Sequence, residues 1–103
     1  MNFVVRKPRP VEYDQLAAAL WYDKQQLGLG DEFLDESEFV ITSLSTTALL
    51  HSPQFADVRC ARLRRFHQYG VFYVIRGQEV RLLAIQHGAR HPNRLHKRRQ
   101  QLG

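Results

Sequence analysis

The stretch VRCARLRRFHQYGVFYVIRGQEVRLLAIQHGAR, residues 58–90, decides the fold. Three segments rich in Val, Ile, Phe, Tyr and Leu are broken at His67-Gln68 and at Arg76-Gly77-Gln78, a spacing too short for helices and suited to an antiparallel meander. Strands are expected at about Val58–Phe66, Tyr69–Ile75 and Glu79–His87. The last two would form a hairpin whose tight turn carries Gly77, which tolerates positive φ.

Alternation assigns the faces. In the first strand Val58, Cys60, Arg62, Arg64 and Phe66 share one face and Arg59, Ala61, Leu63 and Arg65 the other, so neither is cleanly apolar. In the third, Val80, Leu82, Ala84 and Gln86 oppose Arg81, Leu83, Ile85 and His87, so both faces carry apolar side chains. Either the strand is buried on both sides within the chain, or one face packs on helices and the other awaits a partner.

Outward from this core, 103 residues with 44% apolar composition support one domain with a single core. No run approaches the roughly 18 apolar residues of a membrane span, and MNFVVRKPRP lacks the apolar region of a signal peptide, so a cytoplasmic location is expected. Cys60 is the single cysteine and forms no internal disulfide; its arginine-rich strand would lower its pKa, although a packing role is the usual one. The net charge of +5 is unevenly spread: residues 1–9 carry +3, residues 10–52 carry −7 and residues 53–103 carry +9. An acidic helical half joined to a basic sheet-and-tail half would attract nucleic acid, a ribosome surface or an acidic protein segment.

Phe3–Arg6 reads as a short strand stopped by Pro8 and Pro10. A helix is expected from about Val11 to Leu27, with Tyr13, Leu16, Ala17, Leu20, Trp21 and Leu27 as a core-facing stripe. Gly28-Leu29-Gly30 ends it, and Asp31 would cap a second helix carrying Phe33, Val40, Ile41, Leu44 and Ala48 inward to about Leu49. His51-Ser52-Pro53 would end that helix before the turn into the sheet. The glycines lack the strand and lysine of a phosphate loop. The tail, residues 91–103, has room for a helix from Asn93 to about Gln101. It reads either as a frayed basic terminus or as a docking arm, with only Leu95 and Leu102 to bury, so folding would hardly notice its removal. His87, His91 and His96 are spaced four and five apart, but Pro92 interrupts them and no Cys or acid completes a set, so no metal site or other cofactor is expected.

The order of strand, helical hairpin and meander, with Trp21-Tyr22, Gly28-Leu29-Gly30 and Phe33, Pro53-Gln54-Phe55, Val58-Arg59, Arg65-Phe66 with Tyr69, and His87 with Arg90 and Pro92, resembles the RelE/ParE superfamily of toxins from bacterial type II toxin-antitoxin systems, which includes plasmid stabilisation proteins. One departure is Arg65-Phe66-His67-Gln68-Tyr69, where the family has Phe-Pro-Tyr; the extra residue suggests a bulge where the second meander strand begins. The resemblance implies an α+β fold with a basic C-terminal tail, and a cognate antitoxin whose acidic, amphipathic carboxyl-terminal segment wraps the half-apolar sheet face in a hetero-oligomer.

The superfamily hosts two activities on one fold. RelE-like members cut messenger RNA on the ribosome without a metal; ParE-like members bind DNA gyrase. For the nuclease the candidates are His87 as base or acid, with Arg62, Arg81 and Arg90 as cations. For target or antitoxin binding they are Arg59, Arg62, Arg64, Arg65, Arg81, Arg90, Arg94 and Arg98. His87 also fits a structural histidine hydrogen-bonded at the sheet edge. The long tail places the chain closer to ParE, with the RelE-like nuclease as the alternative and an inactive toxin that only binds its antitoxin as the second.

Overall fold

In the computed structural model, which describes residues 2–88 and 90–102, the elements follow as β1 (Val4–Arg6), α1 (Arg9–Gln25), α2 (Leu29–Thr47), a 3-10 turn (Ala48–Leu50), β2 (Pro53–Phe55), β3 (Val58–Arg62), β4 (Tyr69–Arg76), β5 (Glu79–His87) and α3 (Pro92–Leu102). One sheet has the order β1-β5-β4-β3-β2, with β1 parallel to β5 and every other pair antiparallel. The meander is therefore present, extended by β2, a strand that the turn-like sequence around Pro53 concealed. The first meander strand is shorter than expected. It stops at Arg62, and Arg64 and Arg65 lie in the connection, where Tyr69 N–H bonds the Phe66 carbonyl at 2.8 Å. The anticipated bulge lies elsewhere: Phe72 pairs with Ala84 and Tyr73 with Leu82, leaving Leu83 without a partner on β4.

That bulge resets the alternation on β5. Val80, Leu82 and Ile85 join the core beneath α1 and α2, together with Val11, Phe33, Leu44, Ala61, Leu63 and Tyr73. Leu83 and Ala84 both face the opposite side, where they pack with Val58, Phe72 and Val74 against Leu95 of α3. The second sheet face is thus covered from within the chain, and it does not wait for a partner. Two carboxylates fasten α3 down. Asp14 pairs with Arg98, and Asp57 in the β2–β3 turn accepts from Arg99 at 2.6 Å and from Arg76 at 2.8 Å. The tail is therefore neither frayed nor negligible to folding: Leu95 is 3% exposed.

The helical hairpin forms as expected, but α1 is rotated relative to the expectation. Its buried face is Val11, Gln15, Ala18 and Ala19, while Tyr13, Leu16, Leu20, Trp21 and Leu27 are exposed. Small residues face inward because α2 lies close: a Cβ on Gly30 would stand 2.5 Å from the Ala19 carbonyl. Gln15 is accepted into this contact because its amide donates to Ser37 Oγ at 2.8 Å and to Glu38 at 2.9 Å, and its oxygen accepts from Lys7 at 3.0 Å. Asp31 is not the cap of α2. The helix begins after Gly28, whose φ of 96° only glycine adopts without strain, and Asp23 Oδ1 receives the Gly30 and Gly28 N–H groups at 2.7 and 3.2 Å.

Candidate functional site

The end of the sheet where β4 begins and β5 finishes opens into a cleft of about 490 Å³. Its floor is the Tyr69–His87 pair, which face one another in the β4–β5 register with ring centroids 5.6 Å apart. One wall is α1, through Ala17, Ala18, Trp21 and Tyr22; the other is the β5–α3 connection, through Gln86, Arg90, His91 and Arg94.

His87 Nε2 lies 3.0 Å from the side-chain oxygen of Gln68, a contact that holds the ring at the sheet edge. Tyr69 belongs to an aromatic cluster with Tyr22, Phe33 and Phe66, whose centroids lie 4.7–5.8 Å apart. Burial raises the Tyr69 phenol above its ordinary value, with the Arg90 guanidinium acting in the opposite sense. Burial likewise raises Tyr22, reinforced by the neighbouring Tyr69. Both phenols therefore keep their protons at neutral pH, which leaves them available as hydrogen-bond donors rather than bases.

Of the nuclease candidates, His87 and Arg90 meet in this cleft. Arg62 lies at the same end of the sheet but two strands away on β3, donating to the His67 carbonyl at 3.2 Å. Arg81 is at the other end of β5, six residues or about 20 Å from His87, where it pairs with Glu79 at 2.8 Å. The binding candidates divide in the same way. Arg98 and Arg94 face inward to Asp14 and Gln86. Arg59 donates to the His51 carbonyl at 2.5 Å and pins the 3-10 turn to β3. Arg65 pairs with Glu32 and lies 5.4 Å from the Phe66 ring. For Arg64 and Arg90 no ion pair is found among the described residues.

Sequence reasoning missed Tyr22, Tyr69, Gln68 and Trp21 as cleft residues. Tyr69 carried a usable signal, since a hairpin closed at Gly77 brings it opposite His87. The thiol of Cys60 is not activated: burial pushes it up to about 11, and Arg62 lowers it only in part. Its sulfur sits where a side chain on Gly70 would collide with it. Of the three spaced histidines, His96 packs against Phe55 with ring centroids 4.5 Å apart and the planes tilted by 38°, away from the cleft. No group of three or more metal-ligating side chains comes together among the described residues, and none of their helices is long and apolar enough to cross a membrane.

No family model matches the chain, and no curated protein matches it. Among solved structures, a chain of the "Chromosomal ParDE TA system from P. aeruginosa" superposes with a TM-score of 0.73 at 16% identity, covering 84% of this chain and 96% of that one. The two share a fold, and the fold anticipated from the sequence, α+β of the RelE/ParE-like type, is the one present. At this identity the likeness defines the architecture, while activity must be argued from the site.

Proposed function

We propose that the chain is the toxin of a type II toxin-antitoxin pair, closer to ParE than to RelE, which inhibits growth by binding DNA gyrase and is neutralised by a cognate antitoxin in a hetero-oligomer. The observation that carries the toxin reading is the fold shared with a chain of a ParDE TA system over 84% of the present one. Binding is favoured over cutting by the scatter of the cations. Cleavage at a 2′-hydroxyl needs a base, an acid and positive charge converging on one phosphate, and Arg81 stands a strand's length from His87, tied to Glu79.

The ribosome-dependent endoribonuclease is the second reading, supported by the meeting of His87, Tyr69 and Arg90 at one cleft. An inactive toxin that binds only its antitoxin would show neither effect. Induction of the protein in cells, with DNA breaks and the SOS response followed beside transcript integrity, separates the three. Breaks with intact transcripts are expected; early transcript cutting with intact DNA would sink the gyrase reading.

A further inference from the structure

A second cavity, of about 630 Å³, opens toward the other end of β5, where β1 stops at Arg6 and its pairing with β5 ends. Val5 and Leu82 in its wall belong to the core beneath the helices and Leu102 to the cluster beneath α3, so the cavity spans the sheet edge. Its charge comes from a pair that the strand register sets up: Arg6 and Arg81 are direct partners in the parallel β1–β5 ladder. Like charges placed opposite one another across two strands cost stability. One carboxylate, Glu79, stands between them: its Oε2 accepts from Arg6 Nε at 3.0 Å and its Oε1 from Arg81 Nε at 2.9 Å. Hydrogen bonds from Arg6 and Arg81 hold that carboxyl below its ordinary value, so it is ionised at neutral pH and answers one of the two positive charges. Lys7 also lines the cavity, but its ammonium is engaged by Gln15 and Glu38.

We propose that this cavity binds a small phosphate monoester with an apolar or aromatic body, of the size of a mononucleotide. With the bonds to Glu79 made, both terminal nitrogens of Arg6 and Nη1 of Arg81 have no partner among the described residues. Three guanidinium nitrogens match the three terminal oxygens of a phosphate monoester, whose charge of about −1.5 to −2 exceeds what a carboxylate would bring. A carboxylate would also leave one of the three nitrogens unused. The volume lies in the range of small-molecule sites, about 300–1,000 Å³, and leaves room beside the phosphate for an organic group against Val5, Pro8, Leu82 and Leu102. Such a ligand would touch β1, β5 and the end of α3 at once, and so would stabilise the folded chain. Arg81 stands about 20 Å along β5 from His87, and the site does not depend on the toxin reading.

The test is titration calorimetry of the purified full chain with adenosine 5′-monophosphate, beside adenosine and inorganic phosphate. The monophosphate should bind at least about tenfold more tightly than either and should raise the melting temperature. Arg6→Gln and Arg81→Gln should each weaken it at least about tenfold, with melting curves little changed, since the two side chains are 62% and 41% exposed. Arg64→Gln, in the β3–β4 connection, should bind as the wild type does. Glu79→Gln separates a binding site from a salt bridge: removing the carboxylate that competes for the guanidiniums should tighten binding. Equal affinity for inorganic phosphate means an adventitious ion only and overturns the proposal, as does an absence of binding at millimolar monophosphate. Wild-type affinity in both arginine variants, or weaker binding in Glu79→Gln, overturns it too. Should a variant disturb folding, amide chemical shifts of the wild type decide: changes on adding the monophosphate at residues 5–8 and 79–82 support the site, and changes confined to the His87 cleft reject it. None of these outcomes bears on growth inhibition, so the toxin reading stands or falls separately.

Discussion

Asp14 on α1 and Arg98 on α3 together close the free edge of β5: the carboxylate Oδ2 accepts the Ile85 N–H at 3.1 Å and an Arg98 N–H at 2.6 Å, while the same guanidinium nitrogen donates to the Leu83 carbonyl at 2.9 Å. Beyond β1, which pairs only with residues 79–81, β5 has no neighbouring strand on that side among the described residues. An open edge is a template for association, and here two side chains satisfy the donor and the acceptor that a strand would have taken. The Asp14 side chain is 6% exposed, so the pair is held away from bulk screening. Arg98→Ala should therefore cost about 3 kcal/mol, the scale for removing one partner of a buried pair, softened by Arg94 at 3.5 Å. Urea denaturation of the single variants and of Asp14→Ala/Arg98→Ala measures it; a double variant as unstable as the sum of the singles would show that the two side chains do not act together.

Leu20 and Ile41 look equivalent in the sequence and are opposite in the fold. Ile41 is 5% exposed beneath the sheet, so Ile41→Ala should cost on the order of 2–4 kcal/mol through the cavity it leaves. Leu20→Ala, at a position 65% exposed, should change stability by less than about 0.5 kcal/mol. Equal losses in a denaturant series would mean that the exposed ridge of α1 is covered in the folded protein alone.

Tyr73 is fully buried and its hydroxyl donates to the Ala48 carbonyl at 2.6 Å, joining β4 to the end of the helical hairpin. Tyr73→Phe leaves that carbonyl unpaired and should cost about 1–2 kcal/mol. Burial raises the phenol from 10.0 to about 12, with Arg59 opposing. A raised value means that the folded state holds the proton more tightly, so the associated stability is whole below pH 10 and is lost as pH climbs toward 12. The gap between wild type and Tyr73→Phe should then shrink across that window. A gap that stays constant to pH 12 would remove the phenol from the alkaline limb.

The thiol of Cys60 is expected to be inert. Pushed up to about 11 by burial, it holds little thiolate at pH 8, and only the thiolate attacks. Alkylation by iodoacetamide should run at least about tenfold more slowly in the native protein than in the urea-unfolded chain. Comparable rates would return Cys60 to the list of reactive residues.

What the sequence disclosed follows from which signals are local. The Gly77 turn and the β-rich runs on either side of it give β4 and β5 almost to the residue, because a two-residue periodicity and a short break leave few alternatives. The rotation of α1 was not legible, since its inward face is made of Ala18, Ala19 and a hydrogen-bonded Gln15, while hydropathy favours Leu20 and Trp21. Only the closeness of α2 at Gly30 explains why small residues go inside. The bulge at Leu83 was equally hidden. It reverses the alternation of β5 without changing its composition, and because the tail read as a frayed terminus or a docking arm rather than a lid, burial on both sides and an open face stayed as alternatives until α3 was seen over Leu83 and Ala84. At the cleft, residue type alone singled out His87 and Arg90 as candidates, whereas the ties of Arg94 to Gln86 and of Arg98 to Asp14 were hidden because those partners are remote in sequence or unremarkable.

The role of α3 follows from what it covers. Ending the chain at His91 would uncover Val58, Phe72, Val74 and Leu83, remove Leu95, and strip Asp14 and Asp57 of Arg98 and Arg99. Burial of one Leu side chain alone is worth about 2 kcal/mol, and a domain of this size shifts by roughly 4–8 °C per kcal/mol, so the melting temperature should fall by more than about 10 °C. Truncation therefore cannot report on docking, because lost toxicity would follow from lost folded protein. Lys97 separates the two effects, being exposed on α3. Lys97→Glu should leave the melting curve in place, and it should weaken target binding most at low salt, where screening is least, if the tail steers association. Unchanged binding at every ionic strength would confine α3 to closing the sheet, and the basic tail would then no longer favour ParE over RelE.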